Sequence, residues 1–145
     1  MKEAIIHIVT PTLLFTSISC GTPLSEYEPK NQAEQEIKAL LIEYLDCRNK
    51  HDLDGLLAPF CGDAKVMQGT YGNRRYVTKK QARKTWPELF ESFPRMKITN
   101  PKMEITENKA VVKFKFTANG VTHKGTQHLV KENDRWLIIK NTYGD

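Results

Sequence analysis

Apolar residues recur along the chain with two different periods, and the change between them divides the sequence. Ile37, Leu40, Leu41, Tyr44 and Leu45 lie three and four residues apart, which predicts a helix with one apolar face. Asp52 is placed to cap a short second helix that carries Leu53, Leu56, Leu57 and Phe60 and stops near Cys61 and Gly62. A strand-like stretch at 64–67 and a glycine-bearing loop follow. Thr78 and Gln81 then have the spacing of a capping box, opening a third helix with Ala82, Trp86, Leu89, Phe90 and Phe93 on its apolar face. Pro87 falls inside that pattern, so a break is expected near Trp86 rather than a straight rod.

From about residue 96 the period falls to two, the mark of an antiparallel sheet with one buried face. Met96 and Ile98, then Met103 and Ile105 after Pro101, then Val112, Phe114 and Phe116 alternate with polar residues. Asn119-Gly120 is the strongest turn signal, because a two-residue type I′ turn needs positive φ at both positions. A second turn around 132–134 returns the chain through Trp136, Leu137, Ile138 and Ile139. Helices followed by a meander of about four strands make an α+β domain, with helices packed on one face of a curved sheet.

The Asn119-Gly120 turn also sets a register. It places Phe116 opposite His123, Phe114 opposite Gly125 and Val112 opposite Gln127, all on one face, while Lys113, Lys115, Thr117, Thr122, Lys124, Thr126 and His128 take the other. His123 and Gln127 are therefore polar residues on an apolar face, with Gly125 expected to leave space between them. Two readings stand: a pocket wall, or two side chains satisfied by backbone carbonyls or buried water.

The chain has 145 residues, 39% of them apolar, room for one compact domain and not two. The formal charge of +5 is scattered, so no nucleic-acid partner is expected. A local basic cluster, Arg74, Arg75, Lys79, Lys80, Arg83 and Lys84, reads as a solvated face or as a contact for anionic lipid head groups. His51, His123 and His128 lack the spacing of a ligand set and no Cys-x-x-Cys or acidic calcium loop occurs, so no metal or other cofactor is expected. Ser25 and Ser92 carry no nucleophile signature, and the glycines form no phosphate loop.

Near the N-terminus, residues 4–18 are apolar but broken by His7 and Pro11, and are shorter than the roughly 20 residues a membrane-spanning helix needs. They read as a signal-peptide core, giving a leader at 1–19. Ser17-Ile18-Ser19-Cys20 resembles a bacterial lipobox, which implies cleavage before Cys20 and its lipidation; ordinary secretory cleavage and an uncleaved or buried segment are the rival readings. The expected address is the cell envelope, with the membrane as partner through the lipid anchor. Gly21 after the cysteine favours the outer membrane, facing the periplasm, if the source is Gram-negative. Residues 20–35, with two prolines and no apolar period, read as a flexible tether ahead of a domain at 36–145. In an oxidising compartment Cys47 and Cys61 become a candidate disulfide across the bent helix pair.

The run from Tyr44 through Asp52-Leu53-Asp54-Gly55 to Asp63-Ala64-Lys65-Val66, followed by a third helix, four strands and a terminal Arg135-Trp136-Leu137-Ile138 strand, resembles the nuclear transport factor 2-like superfamily. SnoaL-like proteins, ketosteroid isomerases and scytalone dehydratases belong to it. The resemblance covers residues 36–143 and implies a cone, with N-terminal helices closing on a strongly curved antiparallel sheet around a pocket at the wide end. It also implies that Tyr44 stands where the isomerase tyrosine sits. Gln68 then occupies the position of the isomerase base and Gln127 that of its carboxylic-acid donor. A glutamine amide donates a hydrogen bond but takes up no proton, so isomerase chemistry is not expected.

Together these readings name Tyr44, Gln68, Trp86, Phe90, Phe114, Phe116, His123 and Gln127 as candidate ligand-binding residues for a small apolar or amphipathic molecule, held without turnover. Two alternatives stand beside it. One is a dehydratase- or hydrolase-type enzyme using His123 with Tyr44 or Tyr76. The other is an assembly module, such as a homodimer, pairing through the open sheet face.

Overall fold

The computed structural model describes residues 21–68 and 73–144. The leader expected at 1–19 and Cys20 lie outside the described residues. Helix α1 (Gln32–Asn49) begins where the Asn31 side chain accepts from Glu34 N and is closed off just past its Lys50 cap by His51, which takes the left-handed conformation (φ 58°) as Asp52 N–H returns to Cys47 O at 2.9 Å. Its periodic residues are those the pattern predicts: Ile37, Leu41 and Tyr44 are buried. Helix α2 (Leu53–Leu57) is capped by Asp52, whose carboxylate accepts from Gly55 N at 3.0 Å. It ends at Leu57, earlier than expected, because Phe60 and Cys61 are already in the strand β1 (Phe60–Gln68).

A short strand, β2 (Arg75–Thr78), occupies what reads in the sequence as loop. The capping box forms in full, with Gln81 N donating to Thr78 Oγ1 and Thr78 N to Gln81 Oε1, and starts α3 (Lys79–Thr85). The expected break follows: Trp86 ends α3, and Pro87 becomes the first residue of a one-turn helix α4 (Pro87–Phe90). The break turns Leu89, expected on the apolar face, out to solvent.

Four long antiparallel strands follow, β3 (Met96–Thr106), β4 (Lys109–Ala118), β5 (Val121–Glu132) and β6 (Arg135–Tyr143). Both anticipated turns form with positive φ, at Asn119-Gly120 (51° and 75°) and at Asn133-Asp134 (48° and 59°). The sheet order is β2-β1-β6-β5-β4-β3, with β1 running parallel to β6, so the meander gains two strands from the N-terminal half. Register shifts at Asn100-Pro101 in β3 and at Ile139 in β6 bend the sheet around the helices. Pro101 is buried at the first of these, where its missing N–H leaves no ladder bond unmade.

The expectation of a flexible tether over 20–35 is corrected for the residues described. Leu24, in a short 3₁₀ turn, is buried, and Pro23 bridges to Thr99 at the β3 edge. Thr22 N donates to Asn100 Oδ1, and Asn100 N donates back to Thr22 O, both at 2.8 Å. Tyr27 Oη donates to Glu34 at 2.7 Å. A single buried leucine and this set of hydrogen bonds hold the segment as a strap along the sheet edge, an anchorage that an absence of apolar period does not reveal.

Candidate functional site

The predicted pairing of β4 with β5 is the observed one: Phe116 faces His123, Phe114 faces Gly125 and Val112 faces Gln127. At the turn end of this hairpin a pocket of about 350 Å³ opens between the C-terminal half of α1, the α3–α4 break and the curved sheet. Trp86, Phe93, Met96 and Phe116 make its apolar walls, and Tyr44, Arg48, Gln68, Arg74, His123 and Tyr143 supply the polar groups. Trp86 and Phe93 meet edge to face at 5.8 Å, and His123 leans on Phe116 at 5.3 Å.

Five of the eight candidate residues thus line one cavity: Tyr44, Gln68, Trp86, Phe116 and His123. Phe90, Phe114 and Gln127 do not. Phe90 is buried behind the wall, stacked near Trp86 and edge-on to Phe93. The space expected at Gly125 is filled by Phe114, whose ring lies so close that a Cβ added at Gly125 would run into Phe114 Cε2. Gln127 is fully buried farther along the hairpin, and neither its Oε1 nor its Nε2 has a partner among the described residues.

Tyr143, which no local pattern marks, forms a short hydrogen bond through its hydroxyl with that of Tyr44. Strict alternation from Trp136 and Ile138 would put Lys140 and Thr142 on the inner face. The bulge at Ile139 inverts the alternation and brings Asn141 and Tyr143 inward instead. Asn141 is buried and accepts from Met67 N at 2.9 Å. Burial pushes the Tyr44 hydroxyl well above the usual tyrosine range, and the adjoining Tyr143 adds to the shift, so Tyr44 remains a protonated hydrogen-bonding group. Arg48 likewise carries no local signal in the sequence. It is half-buried, donates from Nη1 to Pro94 O at 3.2 Å and lies 5.0 Å over the Phe93 ring.

Tyr76, the other tyrosine weighed as a partner for His123, lies elsewhere. It is exposed, bonded to Thr142 Oγ1 at 2.9 Å, and Lys140 sits over its ring. His123 itself makes no hydrogen bond to another described residue, so nothing orients its ring for proton transfer. No carboxylate occurs among the described residues that line the pocket. Gln68 accepts weakly from Thr85 Oγ1 at 3.3 Å.

The candidate disulfide is not formed. Cys47 and Cys61 are free thiols in separate surroundings, Cys47 at the helix corner beside Gly55 and Asp52, Cys61 on β1 near Lys79, Asp63 and Glu132. Cys47 stays on α1 while Cys61 has already joined the sheet in β1 rather than closing the second helix. Burial raises both thiols above the ordinary cysteine value, with nearby carboxylates adding to it, so neither is activated. Among the described residues no group of histidines, cysteines and carboxylates is arranged to hold a metal ion, and no helix is long and apolar enough to cross a membrane.

The basic cluster is divided by the fold. Arg83 pairs with Asp54 at 3.2 Å, and Lys79 is drawn inward to donate to Phe60 O at 2.9 Å. A shallower depression of about 630 Å³ runs between the strap and the outer side of the sheet. Tyr27, Pro101 and Phe114 line it together with Glu26, Glu28 and four lysines, a charged and open rim that describes a solvated face better than an enclosed ligand site.

Comparison with known proteins agrees with the fold. A protein of the nuclear transport factor 2-like type and unknown function from Shewanella oneidensis has a TM-score of 0.66 at 20% identity, covering 79% of this chain and 100% of its own. A putative calcium/calmodulin-dependent protein kinase II association domain from Xanthomonas campestris has a TM-score of 0.64 at 17% identity, covering 81% and 90%. Another nuclear transport factor 2-like protein of unknown function, from Pseudomonas putida, has a TM-score of 0.63 at 14% identity, covering 77% and 85%. No match was found among curated proteins. The family profile of the SnoaL-like domain matches residues 41–138, and the chain accordingly belongs to the SnoaL-like family within the nuclear transport factor 2-like superfamily.

Proposed function

We propose that this protein is an envelope-anchored lipoprotein whose domain holds a small apolar or amphipathic molecule without transforming it. The observation that carries the reading is the pocket itself. Its aromatic and methionine walls converge on a few hydrogen-bonding groups, while its one histidine has no orienting partner and no carboxylate of the described residues stands beside it. Such a lining favours retention over turnover, because general acid–base work needs a matched donor and acceptor within reach of the same atoms.

Assembly is the competing use of this fold, and one structural neighbour carries the words "association domain" in its description. In this chain the outer sheet face exposes Lys97, Lys102, Lys113, Lys115 and Lys124, of which Lys113 pairs with Glu104 at 3.1 Å. Two such faces brought together would repel. That charge supports assigning the function to the pocket.

Native mass spectrometry of protein purified from its own membrane fraction tests the reading: a retained small molecule, lost in a His123→Ala variant that still folds, is the expected result. A ligand-free monomer of unmodified mass would count against it. Anchorage is tested separately by metabolic labelling with a fatty-acid analogue, which should depend on Cys20; equal labelling of Cys20→Ala would refute it.

A further inference from the structure

The same pocket carries information on the head group of its ligand, an inference that rests on reading it as a binding site. Several of its polar groups are donors with protons to spare. Trp86 lines the cavity with its indole N–H buried and without an acceptor among the described residues. An indole nitrogen is a donor only, so a molecule that completes it must bring an acceptor. The Tyr44 and Tyr143 hydroxyls share one hydrogen bond, which uses one of their two protons and leaves the other to be given away. Arg74 brings one permanent positive charge to the wall, and Arg48 adds another. One of its five N–H groups is spent on Pro94 O, and it forms no ion pair with a described residue.

A half-buried guanidinium flanked by a buried, unused indole N–H and a spare hydroxyl proton is complementary to negative charge, and an amine placed there would meet donors and a like charge. The apolar walls select the rest of the molecule. We infer that the pocket takes a small molecule with an apolar body and a carboxylate-type anionic head, the head received by Arg48, Trp86 Nε1 and the tyrosine pair, and the body by Phe93, Met96 and Phe116.

Three probes with one aromatic body and different heads separate these terms: 2-naphthoate, 2-naphthol and 2-naphthylmethylammonium, titrated calorimetrically into the lipid-free protein at neutral pH. The naphthoate is expected to bind at least tenfold more tightly than the other two. Arg48→Met should abolish that preference while leaving naphthol binding within about twofold, and Arg48→Lys should retain it. Trp86→Phe, which keeps the ring and removes the N–H, should weaken naphthoate severalfold more than naphthol. The circular-dichroism melting curve of each variant checks that the fold persists. Equal affinity for naphthoate and naphthol overturns the anionic assignment and leaves the apolar pocket standing, whereas a preference that survives in Arg48→Met overturns the placing of the head at Arg48. Binding of none of the three overturns the pocket reading itself.

Discussion

The β4–β5 hairpin presents one inner face whose two ends have different fates. At the turn end, Phe116 and His123 face the pocket; at the base, Val112, Gln127 and Leu129 are sealed in the core. The alternation is the same throughout, and the strands are equally well paired. What differs is the cover. The N-terminal half of α1 lies over the base, where Glu36 accepts from Lys131 Nζ at 2.9 Å and from Trp136 Nε1 at 3.1 Å. Toward the other end α1 gives way to the α1–α2 corner and the broken α3–α4 pair. Asn49 tethers it to Met96 through two hydrogen bonds, at 2.9 and 2.8 Å, without closing the space beside it. A site in this fold is therefore made less by the strands that line it than by where the helical layer stops.

Truncation at the two ends should sharpen this contrast most. Leu129→Ala empties a position 1% exposed at the closed base and should cost about 2–5 kcal/mol in denaturant unfolding. His123→Ala, at the open end, should cost less than about 1 kcal/mol and act on ligand retention instead. Equal losses would erase the distinction between wall and core. A smaller effect, of opposite sign, is expected at Gln127. Its unpartnered amide bears a desolvation cost, so Gln127→Leu should stabilise the protein by about 1 kcal/mol. Destabilisation there would mean that the base of the hairpin is wet, and that the two ends are more alike than their burial suggests.

The smallest effect is one of pH, and it too falls on the closed end. Burial opposes ionisation of Glu34, but hydrogen bonds from Tyr27 and from Lys30 N outweigh it and hold the carboxyl below its usual value. Glu36 is lowered by hydrogen bonds from Lys131 and Gln32. Groups whose carboxyls are lowered in the folded state contribute stability that is complete above the unfolded value, near pH 4.5, and is lost as the pH falls below it. Tyr27 works from the other side. Burial and Glu34 push its hydroxyl up to about 12, so its contribution persists below pH 10 and declines as the pH rises toward 12. Hydrogen exchange read at the strap and at the β5–β6 turn should accelerate below about pH 4 before the pocket end responds. Simultaneous loosening at both ends would show that these carboxylates do not govern the base.

Much of this architecture is legible residue by residue. The 3.6-residue period of Ile37, Leu41 and Tyr44, the Thr78/Gln81 capping box, the break at Pro87 and the Asn119-Gly120 register are local signals, each with its cause within a few residues. The features that were not legible depend on distant partners. Nothing near residue 60 announces that β1 will run parallel beside β6, and nothing in the alternation of β6 announces the bulge at Ile139 that turns Tyr143 inward. The strap is held by hydrogen bonds to Asn100 and Glu34, too polar and too short to produce a period.

The sequence by itself therefore determined the helical face, the hairpin register and the presence of polar side chains on an apolar face, since backbone geometry and side-chain alternation are set locally. Only the tertiary structure decided which of those polar residues meet a cavity. His123 and Gln127 are equivalent in pattern, four residues apart on the same strand face. The helical layer covers Gln127 and ends before His123, and that end is set by the packing of α1, α2 and α3 across the curved sheet.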